Sequence, residues 1–292
     1  MGSRVLSESS LRARVWLVLA YSAVFEFPLS TEEVTRRIWR FAGETLSTQA
    51  EIDFSLHKLF SMGVIGKNDD LWYLVSQPEA PANRKLWTKN SQIKLHQAAP
   101  IISFLAKLPW VVGVAITGSV AVNSAQADDD VDFMIVTEPN RLWLTRLLTL
   151  IVAMKYGKRR SFAKEEPNSW CFNLWLTTNS LAVPPERRSL YTAYEVCQAD
   201  WVINRGQVAE QFLTNNAWVE PTLANFFQYR QTRICKIKQN LKSNIFLIAL
   251  TWLLAAFNGV LFLLQIIYMT PHRTTERVHW DYAWFHPKKK SV

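Results

Sequence analysis

Twenty-five consecutive residues, Ile245 to Met269, carry no charged side chain. A run like this must either pack inside a folded domain or enter a lipid phase. As a helix it is about 37 Å long, enough to cross a ~30 Å hydrocarbon core with tilt. Leu, Ile, Phe and Val supply 15 of the 23 residues from Ile245 to Ile267. At roughly −0.3 to −0.6 kcal/mol each, they outweigh Asn258 and Gln265 in a membrane-insertion balance. Thr251, Asn258 and Gln265 recur at a seven-residue interval and fall on one helix face. A narrow polar stripe suits a helix lying across folded domains or across a membrane surface. Basic residues flank both ends, Lys236, Lys238 and Lys242 before and Arg273, Arg277 and Lys288 to Lys290 after. The flanks are nearly balanced, so they set no orientation. Membrane association through 245–269 is the expectation, spanning or lying on the surface, with burial in the protein as the alternative.

The rest of the composition excludes more than it selects. With 49% hydrophobic and 20% charged residues in 292, intrinsic disorder is ruled out for most of the chain. The length suggests two domains, or one with additions. The three cysteines, Cys171, Cys197 and Cys235, are too few and too scattered for a disulfide framework or a CxxC zinc site. No N-terminal signal segment is evident, so a reducing cytoplasmic setting is expected, with attachment to the cytoplasmic membrane through the C-terminal helix. A net charge of +9 admits nucleic acid, nucleotides or anionic lipid and chooses none of them.

The N-terminal part reads as three helices and a hairpin. An apolar-periodic helix covers 11–25, and Phe27-Pro28-Leu29 breaks it. Ser30 with Glu33, and Thr48 with Glu51, are capping-box pairs that open a second and a third helix. Gly63 is placed to close the third. Val64 to Val75 then gives two short strands around Asn68-Asp69-Asp70. This is the winged-helix order. The third helix offers Glu51, Asp53, His57 and Lys58 and no Arg, which argues against DNA binding, since a helix in the major groove presents Arg, Lys, Asn or Gln. A protein-contact role fits better. The boundaries expected are a winged-helix domain over 1–80, a Pro- and Asn-rich linker over 81–90, a catalytic-type domain with a helical extension over 91–240, and an apolar helix with a basic tail over 241–292.

The chemistry concentrates after residue 110. Val111 to Ile116 is a short apolar run ending in Thr117-Gly118-Ser119. Ten residues later comes Asp130-Val131-Asp132-Phe133-Met134-Ile135-Val136. In a strand, alternate side chains share a face, so Asp130 and Asp132 stand about 6–7 Å apart at Cβ. Two carboxylates on one face suit Mg²⁺, or Mn²⁺, shared with substrate phosphates. Gly118 lets backbone approach a phosphate, and Ser119 supplies a hydroxyl and an N–H.

The segments ITGSVAVNS (116–124) and DDDVDFMIVT (128–137) resemble the polymerase-β-type nucleotidyltransferase superfamily. The wider order, with AYSAVFEFPLS, NRLWLTR and NNAWVEPTLANF, is similar to bacterial members carrying an N-terminal winged helix. The resemblance implies an α+β fold: a winged helix, then a small mixed sheet with helices, then the apolar C-terminal helix. It implies that Gly118 and Ser119 take the triphosphate of an NTP and that Asp130 and Asp132 are catalytic residues holding Mg²⁺. It implies transfer of an NMP group to an acceptor hydroxyl on RNA, protein or a small molecule. Active members usually carry a third carboxylate on a later antiparallel strand. Here that strand is Trp170 to Leu176, and the candidate position is Asn173, a neutral amide and a poor general base. Glu165, Glu166 and Glu195 are substitutes at unmatched positions. A catalytically inactive nucleotide sensor or scaffold, tethered to membrane, is the alternative.

Two weaker signals remain. Lys155 to Arg160 is a basic run that suits a polyphosphate or RNA, or a solvated helix end. His272, His279 and His286 are seven apart, about 10.5 Å on a helix, too far to share a zinc ion.

Overall fold

A computed structural model of the chain describes residues 2–41, 44–159, 167–234, 251–272 and 276–285. They form a mixed α+β protein of two compact units. The first holds residues 1–89, 189–197 and 217–233, and the second holds 90–188, 198–216 and 234–292.

The first unit starts with α1 (Gly2–Ala23), β1 (Leu29–Ser30), α2 (Thr31–Arg37) and α3 (Gln49–Ser61), followed by β2 (Ile65–Asn68) and β3 (Leu71–Leu74). The three strands make an antiparallel sheet in the order β1-β3-β2. Both capping boxes form. Glu33 N–H donates to Ser30 Oγ at 3.2 Å, and Ser30 N–H to Glu33 Oε2 at 3.0 Å. Glu51 N–H donates to Thr48 Oγ1 at 3.3 Å, and Thr48 N–H to Glu51 Oε2 at 2.8 Å. Each box satisfies orphan donors at a helix start, which is why the helices begin where the sequence says. Gly63 sits at φ +71°. Its N–H donates to Phe60 O, and Val64 N–H to Leu59 O, the pair of bonds that closes a helix on a left-handed glycine. Val15 and Val18 of α1 and Ile52, Leu56 and Leu59 of α3 are buried with Leu29 and Trp72. Phe54 and Phe60 of α3 stay half exposed.

The segment expected to be a linker is helical. α4 runs over Ala80–Gln97, and the division between units falls inside it, between Lys89 and Asn90. Its buried stripe is Ala80, Trp87, Ser91 and Lys94, so only one of its inward residues is strongly apolar. Pro81, Asn83 and Asn90 read as turn formers, and over 81–90 Trp87 alone marks a large apolar inward position, so the helical period does not show in the sequence. Pro100 restarts the chain as expected, at the first turn of α5 (Ala99–Leu105).

The second unit is built on a six-stranded sheet. In chain order its elements are β4 (Val111–Thr117), the short α6 (Gly118–Ala121), β5 (Val131–Thr137), α7 (Leu142–Lys155) and β6 (Trp170–Thr177). α8 (Leu190–Gln198) leads to β7 (Asp200–Asn204), α9 (Val208–Asn215) and α10 (Glu220–Ile234). After these come α11 (Thr251–Met269), β8 (Arg277–Val278) and β9 (Tyr282–Trp284). α8 to residue 197 and α10 to residue 233 belong to the first unit, where Arg230 donates to Cys197 O. The strand order is β7-β4-β5-β6-β9-β8. Phe133, Ile135, Trp143 and Trp175 are fully buried in the core.

Three features of this unit differ from expectation. β6 runs parallel to β5, not antiparallel, because a helix-length crossover through α7 returns the chain in its original direction. β7 lies within the expected helical extension, where the sequence gives no strand signal. It is five residues long and begins and ends with polar Asp200 and Asn204, too brief to stand out against flanking helices. β8 and β9 lie within the expected basic tail.

In the first unit, Glu33 also meets Arg84 Nη2 at 2.7 Å. Burial works to raise the Glu33 carboxyl, but Arg84 and Arg37 outweigh it and hold it below the ordinary carboxylate value. Glu33→Gln keeps the cap and removes the charge. A loss of about 3 kcal/mol at neutral pH is expected, as for breaking a largely buried pair. A lowered acid contributes stability that is present above its unfolded pKa and is lost as pH falls through its folded pKa. Urea unfolding of both proteins across pH therefore shows the difference shrinking from about pH 4 downward.

Candidate active site

β4 and β5 pair antiparallel with Thr117 opposite Asp132. This register brings the end of one strand and the start of the next to the same edge, so the Gly118-Ser119 turn meets Asp132. The approach is close. Gly118 has φ +63°, and a Cβ there would lie 2.3 Å from Asp132 Oδ2. Glycine is required twice over, by the left-handed backbone and by the carboxylate against it.

Asp130 lies one residue before β5 rather than within it. It is fixed separately: Ser169 N–H donates to its Oδ1 at 2.8 Å. Val131 N–H in turn donates to Ser169 O at 2.9 Å. The residue before β6 thus holds the residue before β5, an extension of the parallel pairing.

Asn173 is brought to the site. Its Nδ2 donates to Asp132 Oδ1, and its Oδ1 accepts from Cys171 Sγ at 2.7 Å. A register shift between β5 and β6 makes this possible. Asp132 faces Cys171, Met134 faces Leu174, and Phe172 and Asn173 together span one step of β5. Asn173 is buried, while Asp130 and Asp132 are part exposed. The amide therefore orients Asp132 from the protein side. Glu165 and Glu166 lie outside the described residues, and Glu195 belongs to the first unit.

A residue with no sequence signal organises the loop. Lys94, on α4, is buried at 3% exposure. Its Nζ donates to Ala127 O at 2.9 Å, Asp129 O at 2.7 Å and Asn168 Oδ1 at 2.5 Å. Three ammonium protons thus meet three oxygens, two of them carbonyls of the loop that delivers Asp130. Burial pushes the Lys94 ammonium below its ordinary pKa, against the pull of Asp129, Asp130 and Asp128. Ser91, one helical turn earlier, accepts Ala125 N–H at 3.0 Å. The same α4 face therefore fixes two points of the 123–130 loop. Ser124 N–H donates to Ser119 O at 2.9 Å, tying that loop back to the Gly118-Ser119 turn.

The basic run is only partly described. Lys158 Nζ donates to Asn168 O at 3.0 Å, and Trp170 N–H donates to Lys158 O at 2.8 Å. Lys158 thus supports the approach to β6 beside Asn168, and Arg160 lies outside the described residues. His279 stacks on Tyr282, an ordinary packing role, and His286 lies outside the described residues.

Among the described residues, no group of three or more His, Cys, Asp or Glu side chains forms a metal cage. What the site offers is an acidic pair, each member oriented by a neighbour, with a glycine turn closely set against Asp132. Comparison with known proteins returns no match to a family model, a curated protein or a solved structure.

Two substitutions test this geometry. Lys94→Met leaves buried oxygens without a donor, and a loss of about 3 kcal/mol in urea unfolding, with an unchanged denaturant slope, is expected. Gly118→Ala incurs about 1–2 kcal/mol of left-handed backbone strain plus displacement of Asp132. A stability equal to wild type would show that the turn does not press on that carboxylate.

Proposed function

We propose that this protein is a Mg²⁺-dependent nucleotidyltransferase that moves an NMP group from an NTP to an acceptor hydroxyl. The observation that carries this reading is the closeness of Gly118 to Asp132, where a phosphate-type turn and an oriented carboxylate share one strand edge. The resemblance of 116–124 and 128–137 to polymerase-β-type nucleotidyltransferases supports it. In this reading the second unit is the nucleotidyltransferase-like domain. The first unit is a winged-helix module for protein contacts, in keeping with half-exposed Phe54 and Phe60 and an acidic third helix.

The donor set fits Mg²⁺. That ion takes one or two carboxylates with substrate phosphates and water rather than a full protein cage. Asp130 and Asp132 offer hard oxygens, and a carboxylate has about four lone-pair positions to share between protein donors and an ion. When bound, the ion supplies charge neutralisation at the phosphates. Mn²⁺ suits the same oxygens. Gly118 and Ser119 position the triphosphate through backbone and hydroxyl donors. The acceptor oxygen attacks the α-phosphorus in line, the bond to the bridging oxygen breaks, and pyrophosphate leaves. Asn173 holds Asp132 and has no basicity to take the acceptor's proton.

That last point favours a second reading, binding without turnover, in which the chain is a nucleotide-responsive sensor or scaffold. In this reading Asn173, an amide bonded to Asp132, stands where an active member would need an acid.

The two separate in one experiment. Protein with Mg²⁺ is offered each labelled NTP and a mixture of RNA, protein and small-molecule hydroxyl acceptors. Bound nucleotide and released pyrophosphate are both measured. Pyrophosphate release that Asp130→Ala and Asp132→Ala each abolish is the expected result. Aspartate-dependent binding without release establishes the sensor. Failure to bind any NTP, or release that survives both substitutions, overturns the site.

A further inference from the structure

α11 is amphipathic in the reverse sense. Asn258, Leu261, Gln265 and Met269 are buried and lie on one helical face. Phe257, Val260, Leu264 and Ile267, on the opposite face, are 50% to 69% exposed. The inward polar groups are bonded to α7. Asn258 Oδ1 accepts the N–H groups of Trp143 at 2.9 Å and Leu144 at 3.1 Å, capping the first turn of that helix. Gln265 Nε2 donates to Trp143 O at 2.8 Å, and its Oε1 accepts from Arg146 Nη1 at 2.5 Å. Two of the four buried side chains are thus polar amides, while the exposed face is apolar.

The exposed stripe continues onto α7. Ile151 and Met154 are each 48% exposed. Arg159 joins the two helices, with Nη1 3.4 Å from Met154 Sδ and Nη2 3.4 Å from the Tyr268 hydroxyl. A guanidinium and a tyrosine hydroxyl therefore rim a continuous apolar patch, with exposed Lys155 at the end of α7. Lys155 and Arg159 are the basic residues described beside this patch, and no Asp or Glu occurs from Asn140 to Arg159.

We propose that α7 and α11 together form a membrane-docking face that lies in the plane of an anionic bilayer. The apolar stripe enters the boundary between headgroups and acyl chains, and Lys155 and Arg159 meet lipid phosphates. Charge complementarity selects this occupant. Two copies of the chain meeting here would bring basic rims together, whereas an anionic surface neutralises them. The inward bonds set the orientation. A spanning α11 would have to pull Asn258 and Gln265 from α7 and carry both amides into hydrocarbon, where each lacks a partner.

The full-length protein, diluted from detergent, is floated with vesicles of phosphatidylcholine alone and of phosphatidylcholine mixed with phosphatidylglycerol. Binding to the mixed vesicles, reduced by high salt and released by alkaline carbonate, is expected. Leu264→Glu/Ile267→Glu changes two exposed residues and leaves the α7 contacts in place. It is expected to weaken binding at least about tenfold with unchanged circular dichroism. Lys155→Glu, which cannot disturb the core, is expected to weaken only the anion-dependent part. Failure to bind either vesicle, or the double variant binding like wild type, overturns the proposal. A dimer in solution that the double variant converts to monomer, without vesicle binding, reassigns the face to a second copy. Resistance to carbonate extraction, with the chain's two ends on opposite sides of the vesicle, reassigns α11 as a spanning helix.

Discussion

The register of β4 against β5 is the constraint on which the candidate site depends. Pairing Thr117 with Asp132 decides that the first turn after β4 faces the first carboxylate of β5. A slip by one residue would turn every side chain of β5 to the other face. Phe133 and Ile135 on one face and Met134 and Val136 on the other are all buried, so a slip would exchange the side chains packed on the two faces, and their fit holds the register. The acidic pair is thus positioned by apolar residues that take no part in its chemistry. Gly118 follows from the same register, because a Cβ there would displace the Asp132 carboxylate and the backbone is left-handed.

Around that frame, buried polar side chains act as fixed points for irregular backbone. Lys94 gathers the carbonyls of the 127–130 loop. Arg205 does likewise where β4 begins, donating to Ala106, Leu108 and Val111 carbonyls. Asn216 accepts Val183 N–H and donates to Leu181 O, tying down the segment after β6. Asn258 caps α7. Each satisfies backbone groups that no sheet or helix ladder reaches, and each would be costly to remove for that reason.

These fixed points divide what the sequence discloses from what it withholds. Signals that act within a few residues are legible. The two capping boxes, Gly63 at a helix end, the Asp69-Asp70 hairpin turn, Pro100 at a helix start and the apolar alternation of β5 all depend on neighbours in the chain. The seven-residue polar stripe of the C-terminal helix is legible too, since Asn258 and Gln265 do turn to one protected face. What is not legible depends on distant partners. Lys94 looks like any polar helical lysine until α4, the 127–130 loop and Asn168 are brought together. The first half of α4 carries Pro81, Asn83 and Asn90, residues typical of turns, so it reads as linker although it is helical. The direction of β6 is set by the crossover that precedes it, and β7 by its place beside β4, so neither is written in a local pattern.

Asn173 shows how a single position can change the chemistry a frame supports without changing the frame. The bulge opposite β5 delivers the residue at 173 to Asp132 whether it is an acid or an amide. As an amide it donates to Asp132 and draws its own oxygen toward Cys171. An acid there would add a second negative charge beside Asp132 and demand a cation between them. The amide removes that demand. In the proposed reading, Asp132 is then oriented by the amide without a cation between two acids, and metal occupancy would follow the phosphates of a bound nucleotide. Such a site favours binding that is conditional on substrate. Under the proposed reading, such conditional binding suits an enzyme awaiting its acceptor and equally a domain that reports nucleotide by what it binds.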